Sequence, residues 1–158
     1  MSLAKPSSLS VNGAKLRIGI VAARFNESLV DTLLARVQAG LTAAGVPLKN
    51  VSVVRVPGSH EVPWAVQAMA AGRDCVIGLG VLIGGDTNHH EMVGQSVSHA
   101  FQQIALETGV PVINGVVVAN TRAQAQARCA GRIDRGAEFA QAALEMGALK
   151  RSMGAKKS

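Results

Sequence analysis

The chain has 158 residues and a mass of 16.3 kDa, enough for one domain with a real core and too little for a second. Hydrophobic residues at 48% against charged residues at 16% exclude global disorder, and aromatics at 3% exclude a binder that stacks bases on aromatic platforms. The net charge of +6 invites a nucleic-acid partner, but seven of the 16 basic residues lie at the ends (Lys5, Lys15, Arg17, Lys150, Arg151, Lys156, Lys157). The body is left about neutral, with no basic face and no groove-reading helix.

Residues 1–15, rich in Ser, Pro and Lys, read as a flexible arm. Residues 16–149 read as one domain, and 150–158 as a basic tail. Within the domain, Leu16–Ala22 is a short aliphatic run, long enough for a buried strand. Asn26 is the expected cap of a helix in which Leu29, Leu33, Leu34, Val37 and Leu41 recur at helical spacing, and Gly45 and Pro47 end it. Val51–Val56 reads as the second strand, broken by Pro57-Gly58. A helix then starts near Glu61 with Pro63 in its first turn, where a missing N–H costs nothing. Cys75–Ile83 is a nearly continuous apolar strand, as expected when both faces of a sheet are covered. The turn Gly84-Gly85-Asp86-Thr87 leads into a long helix to about Thr108. Val110–Val118 is the fourth strand, and helices over about 122–129 and 135–149 finish the chain. Strands alternating with helices predict a three-layer α/β/α sandwich on a four-stranded parallel sheet, flavodoxin-like.

Cys75 and Cys129 are far apart and match no metal or redox spacing, and Cys75, opening an apolar run, reads as a small buried hydrophobe. There is no 18-residue apolar segment and no apolar signal-peptide core at the start, so a cytoplasmic protein without membrane contact is expected.

In an open parallel sheet, ligands bind beyond the carboxyl ends of the strands. Here those ends are the segments 23–26, 57–61, 84–91 and the stretch after Val118, where polar residues concentrate. The turn Gly84–Thr87 is the strongest local signal. Its glycines permit close backbone approach, and the following helix offers free N–H groups and a positive dipole end, so an anion such as phosphate fits. The alternative is a plain strand-to-helix turn capped by Asp86 or Thr87. It is not a P-loop, since no Gly-Lys-Ser/Thr follows. His89, His90 and Glu91 begin the helix, but successive helical residues diverge by about 100° and do not share a metal readily. His60-Glu61 lacks the HExxH partner, so no metal is expected. One histidine beside a phosphate turn reads as an acid–base group, or else as one that caps or packs. Phe25, directly after the first strand, either stacks on a flat ligand or covers the core. Arg128, on a short helix, is unremarkable by itself.

Taken together these positions resemble the 6,7-dimethyl-8-ribityllumazine synthase family. The resemblance is carried by Ala23-Arg24-Phe25-Asn26, Val56-Pro57-Gly58-Ser59-His60-Glu61-Val62-Pro63, and 80–89 (GVLIGGDTNH). It continues through 109–115 (GVPVING) and 124–128 (QAQAR), in register from about residue 16 to 149. It implies a cofactor-independent transferase of riboflavin synthesis. That enzyme condenses 5-amino-6-(D-ribitylamino)uracil with 3,4-dihydroxy-2-butanone 4-phosphate, releasing phosphate and water. It implies that Phe25 stacks on the pyrimidine and that Ser59, His60 and Glu61 contact the uracil compound, Glu61 accepting from its ribityl hydroxyls. Val81, Leu82 and Ile83 would line the ring site through backbone groups. Gly85, Asp86 and Thr87 would hold the phosphate, with Arg128 pairing bidentately, and His89 would move the proton. The pocket would form between neighbours in a ring of five, Asn114 and Arg128 coming across the interface, and rings would remain single, pair or build sixty-subunit shells.

The chain departs from the family pattern at four places. His60 stands where an aromatic or bulky apolar residue is usual, and Asn114 where Phe is common. Gly84 replaces the usual Arg or Lys. The usual Asn-Lys-Gly reads Asp134-Arg135-Gly136, so Arg135 would be the substitute phosphate-binding cation. A second reading is therefore a catalytically weak paralogue that binds flavin or lumazine, or builds a shell.

Overall fold

A computed structural model of the protein describes residues 4–155. The first three residues of the predicted arm, and Lys156 and Lys157 of the predicted tail, lie outside the described residues. Four strands, β1 (Ile18–Ala23), β2 (Val51–Val56), β3 (Cys75–Ile83) and β4 (Val112–Ala119), form one parallel sheet in the order β2-β1-β3-β4. Five helices connect or follow them: α1 (Glu27–Ala43), α2 (Val62–Met69), α3 (His89–Thr108), α4 (Arg122–Cys129) and α5 (Arg135–Ala155). This is the three-layer flavodoxin-like arrangement expected from the alternation of strand and helix patterns.

The two layers of core follow from the two-residue period of the strands. Ile18, Ile20 and Ala22 of β1, with Ile77, Leu79 and Val81 of β3, face α1, α4 and α5. Val21, Ala23 and Val76 face the other way, onto α2 and α3, where Val66, Val97, Phe101 and Ile104 close the second core. The central strands β1 and β3 are buried on both sides, so nearly every residue in them is apolar.

Strand ends depart from the sequence expectation where a hydrogen bond goes elsewhere. β1 begins at Ile18 rather than Leu16: Leu16 N–H turns back to the Gly13 carbonyl at 3.0 Å, and Arg17 N–H donates to the Asp74 carboxylate at 2.8 Å. β4 begins at Val112 because Pro111 has no N–H to offer, although its carbonyl still accepts from Val76 N–H at 3.0 Å. Asn26 sits at the cap position of α1 but does not cap it. It is in the left-handed region (φ 58°), and its side chain instead donates to the Val81 carbonyl at 2.8 Å, tying the end of β1 to the end of β3.

The last helix continues past Leu149 to Ala155, held by Asp74. This buried carboxylate accepts from Arg17 N–H and from the Arg151 guanidinium at 3.2 Å, so it joins the starts of β1 and β3 to the end of α5. Asp74→Ala is expected to cost about 2 kcal/mol, since hydrogen bonds to a buried charge are the strong ones and their donors are left without a partner. Equilibrium denaturation checks this. From residue 4 onward the arm lies along α5: Lys5 pairs with Glu138, and the Leu9 carbonyl accepts from Gln141 Nε2 at 2.7 Å.

Candidate active site

The chain after β1 is bound to the loop after β2: Arg24 N–H donates to the Val56 carbonyl at 2.9 Å, and Phe25 N–H to that of Pro57 at 3.0 Å. This turns the Phe25 ring outward, 71% exposed, against Gly58. So exposed a ring at a strand's carboxyl end offers a flat apolar face to a ligand in the cavity. The turn Ser59–Glu61 then leads into α2, with Pro63 in the first turn as expected. Ser59 is buried beneath it and its Oγ has no partner among the described residues. It can lie there because residue 80 on β3 is glycine, where a Cβ would be 2.3 Å from Ser59 Oγ. His60 and Glu61 are exposed above it.

The end of β3 is the floor, with Val81 buried and Leu82 and Ile83 half-buried. The glycine turn then delivers α3. Asn88 stands at its cap position without a side-chain cap bond, and Asp86 does not cap it either. Thr87 Oγ1 accepts only a long bond, 3.4 Å, from His89 N–H. The start of α3 therefore keeps donor capacity facing the turn, as an anion site requires.

These loops enclose a cavity of about 550 Å³, the size of a drug-like ligand site. Ten of the expected site residues line it: Phe25, Ser59, His60, Glu61, Val81, Leu82, Ile83, Gly85, Thr87 and His89. Four do not. Asp86 is exposed outside the wall. Asn114 lies on the edge strand β4, its Oδ1 accepting from Val116 N–H at 3.1 Å, beside a separate groove. Arg128 is half-buried on α4 with its guanidinium on the Gln124 carbonyl at 3.0 Å. Arg135 is 15% exposed in its side chain and pairs with Glu138 at 2.7 Å. Partial burial pushes the Glu138 carboxyl up, but hydrogen bonds from Lys5 and Arg135 outweigh it and hold the group below its usual range. Asp134, in the left-handed region at φ 45°, caps α5 by accepting from Ala137 N–H at 3.1 Å.

Sequence reasoning missed His90 and Asn26 as wall residues. The signal for His90 was available: with Val93, Val97, Phe101 and Ile104 it falls on the buried stripe of α3. His90 is 8% exposed, its Nε2 lies 3.3 Å from Asn120 Oδ1, and its Nδ1 is buried without a partner among the described residues. Such an orphan acceptor costs about 1–3 kcal/mol.

Neither thiol is poised for chemistry. Burial pushes the Cys75 thiol up to about 12 and raises that of Cys129 as well. Among the described residues no group of three His, Cys, Asp or Glu is arranged to hold a metal ion, and no helix is long and apolar enough to cross a membrane.

Comparison with known proteins gives one consistent result. The family described as 6,7-dimethyl-8-ribityllumazine synthase matches residues 15–151. A protein of that name from Polaromonas sp. is 41% identical over 90% of this chain and 92% of its own. One from Pyrococcus furiosus is 41% identical over 90% of both. One from Pyricularia oryzae is 37% identical over 97% of both.

Proposed function

Because the chain belongs to the 6,7-dimethyl-8-ribityllumazine synthase family, and is thus a transferase of riboflavin synthesis, we propose that its cavity joins 5-amino-6-(D-ribitylamino)uracil to 3,4-dihydroxy-2-butanone 4-phosphate, as the family resemblance implies. The observation that carries this reading is the convergence of Phe25, Glu61, Thr87 and His89 on one cavity of suitable size. The outward Phe25 ring is a stacking surface for the pyrimidine. Ser59 Oγ, buried and unpartnered, is a hydrogen-bonding group for it, and His60 lies at its rim. Glu61 accepts from the ribityl hydroxyls, while backbone groups of Val81, Leu82 and Ile83 read the ring edge.

The phosphate belongs at the turn, on Gly85, Thr87 and the backbone N–H of Asp86, whose carboxylate stays outside the wall, with the uncapped start of α3 behind it. His89 moves the proton as the two substrates condense and phosphate and water leave. No metal or redox cofactor enters this scheme. Much of the acceleration comes from holding two reactants together.

Asn114, Arg128 and Arg135 lie outside the cavity of their own subunit, which supports a site completed by a neighbour. The exposed apolar surface supports the same reading. Leu48, Val53 and Val54 are bare at the β2 edge, and Leu106, Val118 and Met146 at the β4 edge. Two different apolar faces at opposite edges suit head-to-tail contacts, which close into a ring. We take the ring to be a pentamer of the kind the resemblance implies, working in the cytoplasm on a phosphorylated substrate that does not cross membranes. Nothing in the fold or in the relatives favours a carrier without turnover.

The test is turnover of the two substrates, followed by lumazine absorbance. The expected rate is well above spontaneous condensation, and a rate no higher overturns the catalytic reading. Sedimentation should give a multiple of five subunits.

A further inference from the structure

The scheme above gives His90 no task, although it lines the same cavity one residue beyond His89. We propose that His90 is a positioning residue for phosphate binding: through Asn120 it pins the start of α3 and the glycine turn to the end of β4, using space left by the missing side chain at Gly84. The proposal rests on the reading of that turn as the phosphate site.

The geometry makes Gly84, His90 and Asn120 a matched set. A Cβ at residue 84 would lie 2.7 Å from the Asn120 carbonyl oxygen and 3.2 Å from His90 Nε2, so the Arg or Lys usual in the family has no room here. Asn120 is a firm anchor, since its own N–H donates to Gln124 Oε1 at 2.9 Å and the neighbouring Ala119 carbonyl accepts from Gly84 N–H at 2.8 Å. An amide oxygen only accepts, so the His90 Nε2–H donates to it, and the lone pair on Nδ1 is left buried and unpartnered. A phenyl ring would fill the same space without that orphan nitrogen, so the N–H donated to Asn120 is what histidine adds. His90 sits in the first turn of α3, and fixing its ring fixes the direction in which the N–H groups after Thr87 point.

The test uses the full-length assembled protein and measures both KM values, kcat, and competition by inorganic phosphate. His90→Phe keeps the ring and removes the donor. It is expected to raise KM for the butanone phosphate and the phosphate inhibition constant about tenfold, leaving KM for the uracil substrate within about twofold. Asn120→Ala should produce the same shift, and the double variant should be no worse than either single one. His90→Gln, which keeps a donor, should return the phosphate constants to within about threefold of the wild type. Gly84→Arg should weaken phosphate binding although it adds a cation. Four results would overturn the proposal: His90→Phe binding phosphate like the wild type, both KM values rising together, full additivity in the double variant, or a Gln variant as weak as the Phe one. Thr87→Ala separates this from failure of the underlying reading. If Thr87→Ala leaves phosphate inhibition unchanged, the turn is not the phosphate site. If it weakens inhibition while His90→Phe does not, only the role of His90 falls.

Discussion

His89→Ala is expected to lower kcat about a hundredfold while leaving both KM values within about threefold, the usual loss on removing a general acid–base group. The imidazole sits at the wall of the cavity, on the first residue of α3, its backbone N–H directed at Thr87 Oγ1. That places it beside the turn proposed to hold the phosphate. Of the other groups, both thiols are buried with raised pKa values, His90 is engaged with Asn120, His60 stands exposed at the rim, and Glu61 is proposed to hold the ribityl chain. The loss should stop short of complete, because holding two reactants in contact accelerates a condensation without any proton carrier. Steady-state rates from lumazine absorbance decide it. A variant with the wild-type kcat removes His89 from the mechanism.

Arg128→Ala should raise KM for the butanone phosphate about thirtyfold, with the uracil KM nearly unchanged, since a guanidinium paired with a phosphate makes strong charge-assisted hydrogen bonds. The more telling experiment concerns which subunit the arginine serves. Arg128 lies on α4, outside the cavity of its own chain, and its guanidinium now rests on the Gln124 carbonyl. If it completes the neighbour's site, mixed assemblies of His89→Ala and Arg128→Ala subunits should regain activity. In a head-to-tail ring about a quarter of the sites would then combine an intact cavity with an intact arginine. Unfolding and refolding the two variants together, then assaying against each alone, measures this. Absence of recovery in a correctly assembled mixture would mean that Arg128 does not act across the interface.

The departures from the family pattern acquire different meanings in three dimensions. Gly84 is the sharpest case. Read along the chain it is a lost cation; in the fold it is the residue that lets the β4–α4 junction close against the turn, and His90 and Asn120 fill the space. Arg135, expected as a substitute cation for the phosphate, lies outside the cavity of its own chain and is paired there with Glu138, which also holds Lys5 of the arm. His60 does sit at the cavity, so the exchange of an apolar wall residue for a polar one is felt there. Asn114 is exposed at the sheet edge, outside the cavity of its own chain.

Much of this protein is determined locally. The apolar run at 75–83 fixes β3 to the residue, because a strand buried on both faces must be apolar throughout, and the shorter β-branched run at 51–56, ended by Pro57-Gly58, fixes the half-exposed edge strand β2. The segments 23–26, 57–61 and 84–91 could be singled out because a parallel sheet gathers its carboxyl-end loops whatever the loops contain, while the family resemblance picks out Glu61 and His89 within them. Tertiary structure decided what depends on groups far apart in the chain. The start of β1 is set by a carboxylate 57 positions away, through the Arg17–Asp74 bond. Asn26 gives up capping its own helix to reach Val81, and His90 is meaningful only beside Asn120 and an empty position 84. Periodicity reports which face a residue occupies; it carries no information about the polar partner waiting on that face, because the partner is chosen by packing between elements and not by spacing within one.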